Sequence, residues 1–335
     1  MSAVMRRLGL SESLPALVRR KYESAKQSGA LIFSDTQVTI LQPDPRSPAG
    51  YQLRYCSALE KKPTQKKPEQ KDKKPFDPFE NPSPDLFITE VPLQNPTHLL
   101  VLNKYPIIHQ HFILATKKYA KQTDLLEPDD LATTYAVLKA WEDDGGGKLF
   151  AFFNSGLESG ASQPHRHIQF VPVDEMKRDV PEAQDWRPII ENDLIGEGTS
   201  LPGLPMKTQV AKASPETLYD TYVKLLTDNV GIEEVETSEG GSKRPSASYN
   251  LAMTTDRIAI AKRTREAYIY KDENGQDHPI ALNGTVLAGT LMVKGQTEWN
   301  WLKNEPSNLL KVLEAIGEPV DLQRGQQTGS TSKLT

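Results

Sequence analysis

The sequence predicts a mixed α+β fold built on antiparallel strands. Three observations carry this. Strand-like segments follow one another at short spacing, so sequence neighbours can pair. Helical segments are inserted irregularly, without the regular strand–helix alternation of a doubly wound sheet. No segment repeats. With 25 prolines in 335 residues, long irregular connections are expected as well.

The elements read as follows, in chain order. "SLPALVRRKYESAKQSG" sets Leu14, Leu17, Val18, Tyr22 and Ala25 at helical spacing, and Gly29 is a helix stop. "ALIFSDTQVTIL" (30–41) and "YQLRYC" (51–56) read as strands joined by a Pro-rich turn. Residues 61–74, "KKPTQKKPEQKDKK", hold seven lysines and no large apolar side chain, which predicts a solvated, mobile loop. Order returns with "PFDPFENPSPDLFITEV", and "THLLVLNKYPIIHQHFILAT" reads as two strands around a Tyr-Pro turn. "EPDDLATTYAVLKAWEDDGGG" is a helix with Pro128 near its start and a glycine run at its end.

"KLFAFFNSG" and "HIQFVPV" then read as strands on either side of a Gly/Ser loop. Residues 172–213 are expected to be irregular, and "SPETLYDTYVKLLTDNVG" to form an amphipathic helix. The polar stretch 233–245 predicts a second mobile loop. "ASYNLAMTTDRIAIAKR" and "GTVLAGTLMVK" supply further strands, and "SNLLKVLEAIG" a last helix.

Composition narrows the function classes. A net charge of −4 gives no general case for nucleic acid or a membrane surface. The single cysteine, Cys56, rules out an internal disulfide framework and a Cys-rich zinc cluster. No apolar run is long enough to span a bilayer, and Glu12 and Glu23 oppose reading the Arg-bearing start as a mitochondrial leader. A cytoplasmic protein is expected, with the nucleus as the alternative.

Chemistry concentrates in residues 154–170, "NSGLESGASQPHRHIQF". Two histidines one residue apart on a strand face the same way. That spacing suits a metal pair, a nucleophile with its orienting partner, or simply a half-buried strand. Zinc needs about three or four ligands. Of the other histidines, His98, His109, His111 and His278, only "HQH" at 109–111 forms a second pair, and its setting before a strand points to core or hydrogen-bonding duty. No metal ligand set is expected. Nucleophilic attack on phosphorus accounts for more of the residues. It requires a neutral imidazole whose remote nitrogen holds the proton. The loop Gly160-Ala161-Ser162-Gln163 can turn N–H groups and a hydroxyl onto phosphate oxygens, and Gln169 adds an uncharged donor on the same face.

"FFNSGLESGASQPHRHIQF" also resembles the active-site segment of the fungal diadenosine tetraphosphate phosphorylases (ATP adenylyltransferases), in the histidine-triad and galactose-1-phosphate uridylyltransferase superfamily. "LNKYPIIHQHFILAT", "KKYAKQTDLLEPDDL", "YNLAMT" and "LNGTVLAGTLMVK" are similar to further blocks of that family, so the resemblance spans most of the chain. It implies a histidine-triad-like antiparallel sheet flanked by helices, with an N-terminal part over 1–175 and a C-terminal part over 176–335 completing one nucleotide site.

The resemblance implies phosphorolysis of diadenosine tetraphosphate to ATP and ADP, reversibly, through an adenylyl-histidine. His167 would be the nucleophile. His165 would orient it through its backbone or ring, and Gln169 would contact the phosphate. Asn154 and residues Gly160, Ala161, Ser162 and Gln163 match positions holding ribose and phosphates. Asn103 and Lys104, then Asn283, Gly284, Thr285, Thr290 and Lys294, match further substrate contacts. Thr290 stands where the family carries Met. A family lysine falls on Lys62, with Lys61 beside it. Gln169, where histidine-triad hydrolases carry a third His, favours transfer to phosphate over transfer to water. Hydrolysis, or a nucleotide sensor without turnover, are the alternatives. Adenylyl sulfate is a candidate second substrate. No resident cofactor is implied, though magnesium could accompany the polyphosphate. No nucleic-acid, membrane or protein partner is evident.

Overall fold

The structure, a computed structural model, describes residues 8–45, 50–60, 76–178, 180, 185–193, 195, 200–237 and 240–320. The Lys-rich stretch 61–74, with Lys61 and Lys62, lies outside them. Seven helices are described: α1 (Leu14–Gln27), α2 (Ser57–Glu60), α3 (Pro128–Asp143), α4 (Val173–Lys177), α5 (Leu218–Asn229), α6 (Gln296–Asn304) and α7 (Asn308–Ile316). The strands are β1 (Gln37–Leu41), β2 (Tyr51–Tyr55), β3 (Phe87–Val91), β4 (His98–Leu102), β5 (Phe112–Thr116), β6 (Leu149–Ser155), β7 (His167–Pro172), β8 (Thr208–Lys212), β9 (Ile232–Thr237), β10 (Gly240–Pro245), β11 (Tyr249–Met253), β12 (Arg257–Lys262), β13 (Ala267–Lys271), β14 (Asp277–Ala281) and β15 (Thr290–Val293).

An eight-stranded sheet, in the order β3-β4-β5-β7-β6-β11-β12-β8, is antiparallel throughout. The expected antiparallel α+β class is what the chain adopts. A smaller sheet, β1-β2-β15, contains a parallel pair, β2 with β15. Strands from before and after residue 175 share both sheets.

Alternation along the strands sorts side chains to two sides. Leu100, Leu102, Phe112, Leu114, Phe153 and Phe170 join α1, α3 and α5 in one core. There Phe112 and Phe170 stack with ring centroids 5.0 Å apart, and losing either ring would cost about 3–5 kcal/mol. Phe150, Phe152, Val171, Ala252 and Ala259 point the other way, into a core with β2, β15, α6 and α7. Toward the β3 edge that second face carries only a small cluster, Phe79, Leu99, Val101 and Ala115. The gap between this small cluster and the second core is where the histidine strand is exposed to chemistry.

Several expectations need correction. The stretch 30–41 is strand only over Gln37–Leu41. Residues 172–213 are not wholly irregular: α4 follows β7, and Thr208–Lys212 forms the edge strand β8, paired with β12. Residues 233–237 and 240–245 are not loop but the paired strands β9 and β10, whose charges oppose one another across the pair: Arg244 faces Glu233 at 2.7 Å and Lys243 faces Glu234. "GTVLAGTLMVK" is strand only over Thr290–Val293. Gly284–Ala288 winds into a 3-10 turn capped by Asn283 and closed by Gly289 at φ +78°. The β13–β14 hairpin and α6 were not expected at all.

Candidate active site

The "HRH" triplet divides its side chains between the two faces of the sheet. Arg166 points to the helical side and is 4% exposed, where its Nη1 lies 2.8 Å from Asp130 of α3. Asp130 also accepts from His98 Nε2 at 2.9 Å and from the Glu127 N–H at 2.7 Å. Burial works to raise the Asp130 carboxyl, but the His98 hydrogen bond and the Arg166 charge outweigh it and hold the group below its ordinary value. This buried pair fixes the strand that carries the histidines.

His167 begins β7 and is 3% exposed. Its Nδ1 lies 2.8 Å from the carbonyl of His165, which can only accept, so Nδ1 carries the proton and Nε2 keeps its lone pair. Burial lowers the imidazole to about 4, and the neutral ring is therefore the resting form near neutral pH. Gln122 clamps the same residue. Its Oε1 accepts the His167 N–H at 2.8 Å, and its Nε2 donates to the carbonyls of His167 (3.2 Å) and Asn154 (2.8 Å). His165 thus orients His167 through its backbone. Its own ring is turned away, with Nδ1 2.7 Å from Asp77 and Nε2 2.9 Å from the carbonyl of Thr116. The Phe79 ring lies over both histidines, at 5.6 Å and 5.1 Å between centroids.

Next to the histidines, a cavity of about 180 Å³ opens between β6, β7 and the segment joining β4 to β5 on one side, and the 3-10 turn and β15 on the other. Asn103, Gln169, Asn283, Thr285 and Thr290, five of the residues singled out from the sequence, line it together with His111. Tyr105, Ile107, Ile108, Phe152, Val171, Leu282 and Met292 form its apolar part. A lining of amides, hydroxyls and apolar side chains together can take a nucleoside joined to phosphate. His167 does not line this cavity; it lies beside it under Phe79.

Asn154 and Gly284 are brought together differently. The Asn154 Oδ1 accepts from the Gly284 N–H at 2.8 Å and from Asn250 Nδ2 at 2.9 Å, so this pair braces the turn beneath the cavity. Arg263, 1% exposed, donates through Nη1 to Asn250 Oδ1 at 2.6 Å and to the Leu282 carbonyl at 2.9 Å. Gly160 sits at φ +79°, and a Cβ there would come within 3.0 Å of Asn283 Cβ. Only glycine lets the Gly160–Gln163 loop approach the turn so closely. Ala161 and Gln163 are half-buried, while Ser162, Lys104 and Lys294 are exposed.

The sequence reading missed Asp77, Phe79, Gln122, Asn250 and Arg263. Gln122 and Asn250 did lie in blocks similar to the family, "KKYAKQTDLLEPDDL" and "YNLAMT"; Asp77, Phe79 and Arg263 carried no such signal. His111, read as a hydrogen-bonding residue, is one: its Nε2 lies 3.1 Å from Gln169 Oε1. No group of three or more His, Cys, Asp or Glu among the described residues is placed to hold a metal. None of their helices is long and apolar enough to cross a membrane.

A neutral, buried imidazole presented from an antiparallel sheet, beside a partly polar cavity, is an arrangement with the chemistry for nucleotidyl transfer. Comparison with known proteins narrows the class. Residues 6–185 match the family model of the Ap4A phosphorylase N-terminal domain, and residues 202–319 match that of the ATP adenylyltransferase C-terminal domain; the chain belongs to the Ap4A phosphorylase family. It is 26% identical over 326 residues to diadenosine 5',5'''-P1,P4-tetraphosphate phosphorylase 2 of Saccharomyces cerevisiae, covering 92% of this chain and 96% of that one. It is also 26% identical to protein APA1 of the same yeast, with 93% and 96% coverage. The fold is that of the crystal structure of yeast Ap4A phosphorylase Apa2, with a TM-score of 0.70 at 23% identity over 95% of this chain and 99% of that one. The crystal structure of Apa2 in complex with Ap4A matches with the same TM-score, covering 92% and 99%.

Proposed function

We propose that the protein cleaves diadenosine tetraphosphate by phosphorolysis, releasing ATP and then ADP through an adenylyl group carried on His167. One observation carries this reading: the His167 Nδ1–H is fixed on the His165 carbonyl at 2.8 Å, which leaves Nε2 as a free lone pair on a ring held neutral by burial. Nε2 attacks the phosphorus next to one adenosine. An N–P bond forms as the P–O bond to the rest of the chain breaks, and ATP leaves. An oxygen of inorganic phosphate then attacks the same phosphorus, ADP departs, and the N–P electron pair returns to Nε2. In both steps Gln169 donates to a phosphoryl oxygen as negative charge builds there.

Lys104, whose ammonium lies over the cavity-lining Tyr105, and Lys294, two residues after the lining Met292, are both exposed and would offset polyphosphate charge. The part over 1–175 supplies the nucleophile, and the part over 176–335 supplies the turn and β15 that close the cavity. Magnesium would enter with the substrate's phosphates, and no step is assigned to it. A cytoplasmic site of action is part of the same reading.

Incubation with diadenosine tetraphosphate, with and without phosphate, tests it by ion-exchange separation of products. ATP plus ADP, dependent on phosphate, is expected. ATP plus AMP would make the protein a hydrolase, and binding without products a sensor.

A further inference from the structure

The cavity contains a chain of hydrogen bonds whose direction is set at one end by the backbone. The Tyr105 N–H can only donate, and it reaches Asn103 Oδ1 at 2.9 Å. That places the Asn103 amide nitrogen toward His111, 3.1 Å from Nδ1. An amide NH2 can only donate, so His111 Nδ1 must accept and its proton sits on Nε2. Nε2 in turn lies 3.1 Å from Gln169 Oε1. The Gln169 NH2 is left facing the cavity, with no protein partner among the described residues.

We infer that Asn103 and His111 form a positioning relay that holds the Gln169 amide with its donor side toward the phosphoryl group. An isolated glutamine amide can turn over and present its oxygen to an anion, which would repel it. Here a turn would set the Gln169 NH2 against the His111 N–H, donor to donor, and the mismatch would run back to the backbone of Tyr105. Burial agrees with this, lowering His111 to about 4 so that the ring stays neutral and holds a single proton. His111 is assigned no part in making or breaking bonds; its role runs through Gln169. The kinetic consequence rests on the phosphorolysis reading, whereas the tautomer does not.

The test is a long-range 1H–15N spectrum of the labelled full-length chain at pH 7, with the His111 ring assigned through its side-chain carbons. The relay predicts a proton on Nε2 and a bare Nδ1; a proton on Nδ1, or on both nitrogens, overturns it whatever the enzyme does. Two variants add a kinetic arm. His111→Gln sets an amide where Nε2 stood and should keep kcat within about threefold of the parent. His111→Asn reaches only the Nδ1 position and should lose about tenfold or more in kcat with little change in KM, since the Gln169 contact strengthens as charge develops. Equal losses in the two variants would overturn the relay. An absence of phosphorolysis in the parent chain would refute the function and leave the spectrum to decide the relay.

Discussion

Acidifying the protein from pH 7 to pH 5 should weaken it through two histidines in particular. His111 and His167 both fall from the ordinary 6.5 to about 4, in each case chiefly because burial disfavours the charged ring. Above pH 6.5 both states of the protein hold these rings neutral, and nothing is gained or lost. Between 6.5 and about 4 the unfolded chain takes up protons that the folded chain refuses, so stability falls as pH falls. Integrated from pH 7 to pH 5, each ring removes about 2 kcal/mol, and the pair about 4 kcal/mol. Urea unfolding at both pH values, followed by tryptophan fluorescence at fixed ionic strength, measures the loss. His111→Gln and His167→Gln should each lose about 2 kcal/mol less on acidification than the parent, because each removes one titrating ring. A variant whose loss matches the parent's within about 0.5 kcal/mol would show that its ring is not held neutral by burial, and the lone pair assigned to His167 would lose its basis.

Two further outcomes follow from the same geometry. Gln122→Leu keeps the side chain's volume but strips the partners from the His167 N–H and from the His167 and Asn154 carbonyls, at about 1–3 kcal/mol for each buried group left unpaired; urea unfolding should show a loss of about 3 kcal/mol or more, and kcat should drop with it. Phe79→Ala uncovers the histidine pair, so the share of AMP among the products should rise through hydrolysis of the adenylyl group; an unchanged ADP-to-AMP ratio would show that Phe79 does not keep water from it.

How much the sequence revealed depended on the range of the forces involved. The helices Leu14–Gln27, Pro128–Asp143 and Leu218–Asn229 were legible because each presents an apolar face at helical period to one core. The strands on either side of the Gly/Ser loop were legible from their apolar residues, Leu149 to Phe153 in one and Ile168, Phe170 and Val171 in the other. The strand pair 232–237 and 240–245 was not, because its acids on one strand and bases on the other look in composition like a solvated loop. At the site, the spacing of His165, His167 and Gln169 pointed to one strand face as the candidate. It could not reveal that Asp77, 88 residues earlier, turns the His165 ring away and leaves its carbonyl to hold His167. Nor could it show that Asn154 braces Gly284 across 130 residues instead of lining the cavity. Hydrogen bonds between distant strands leave no periodic trace in a sequence, while His165, His167 and Gln169 are close neighbours in it.

The central claim is that the Nε2 of His167 carries the adenylyl group, and trapping that adduct tests it most directly. The protein is incubated with adenine-labelled diadenosine tetraphosphate without phosphate, quenched in alkali to preserve a phosphoramidate, digested, and the labelled peptide sequenced by mass spectrometry. The account predicts label on His167 alone, in an amount approaching one per chain, and its discharge as ADP when phosphate is added before the quench. Label on His165 or His111, or phosphorolysis proceeding with no labelled peptide at all, would contradict it.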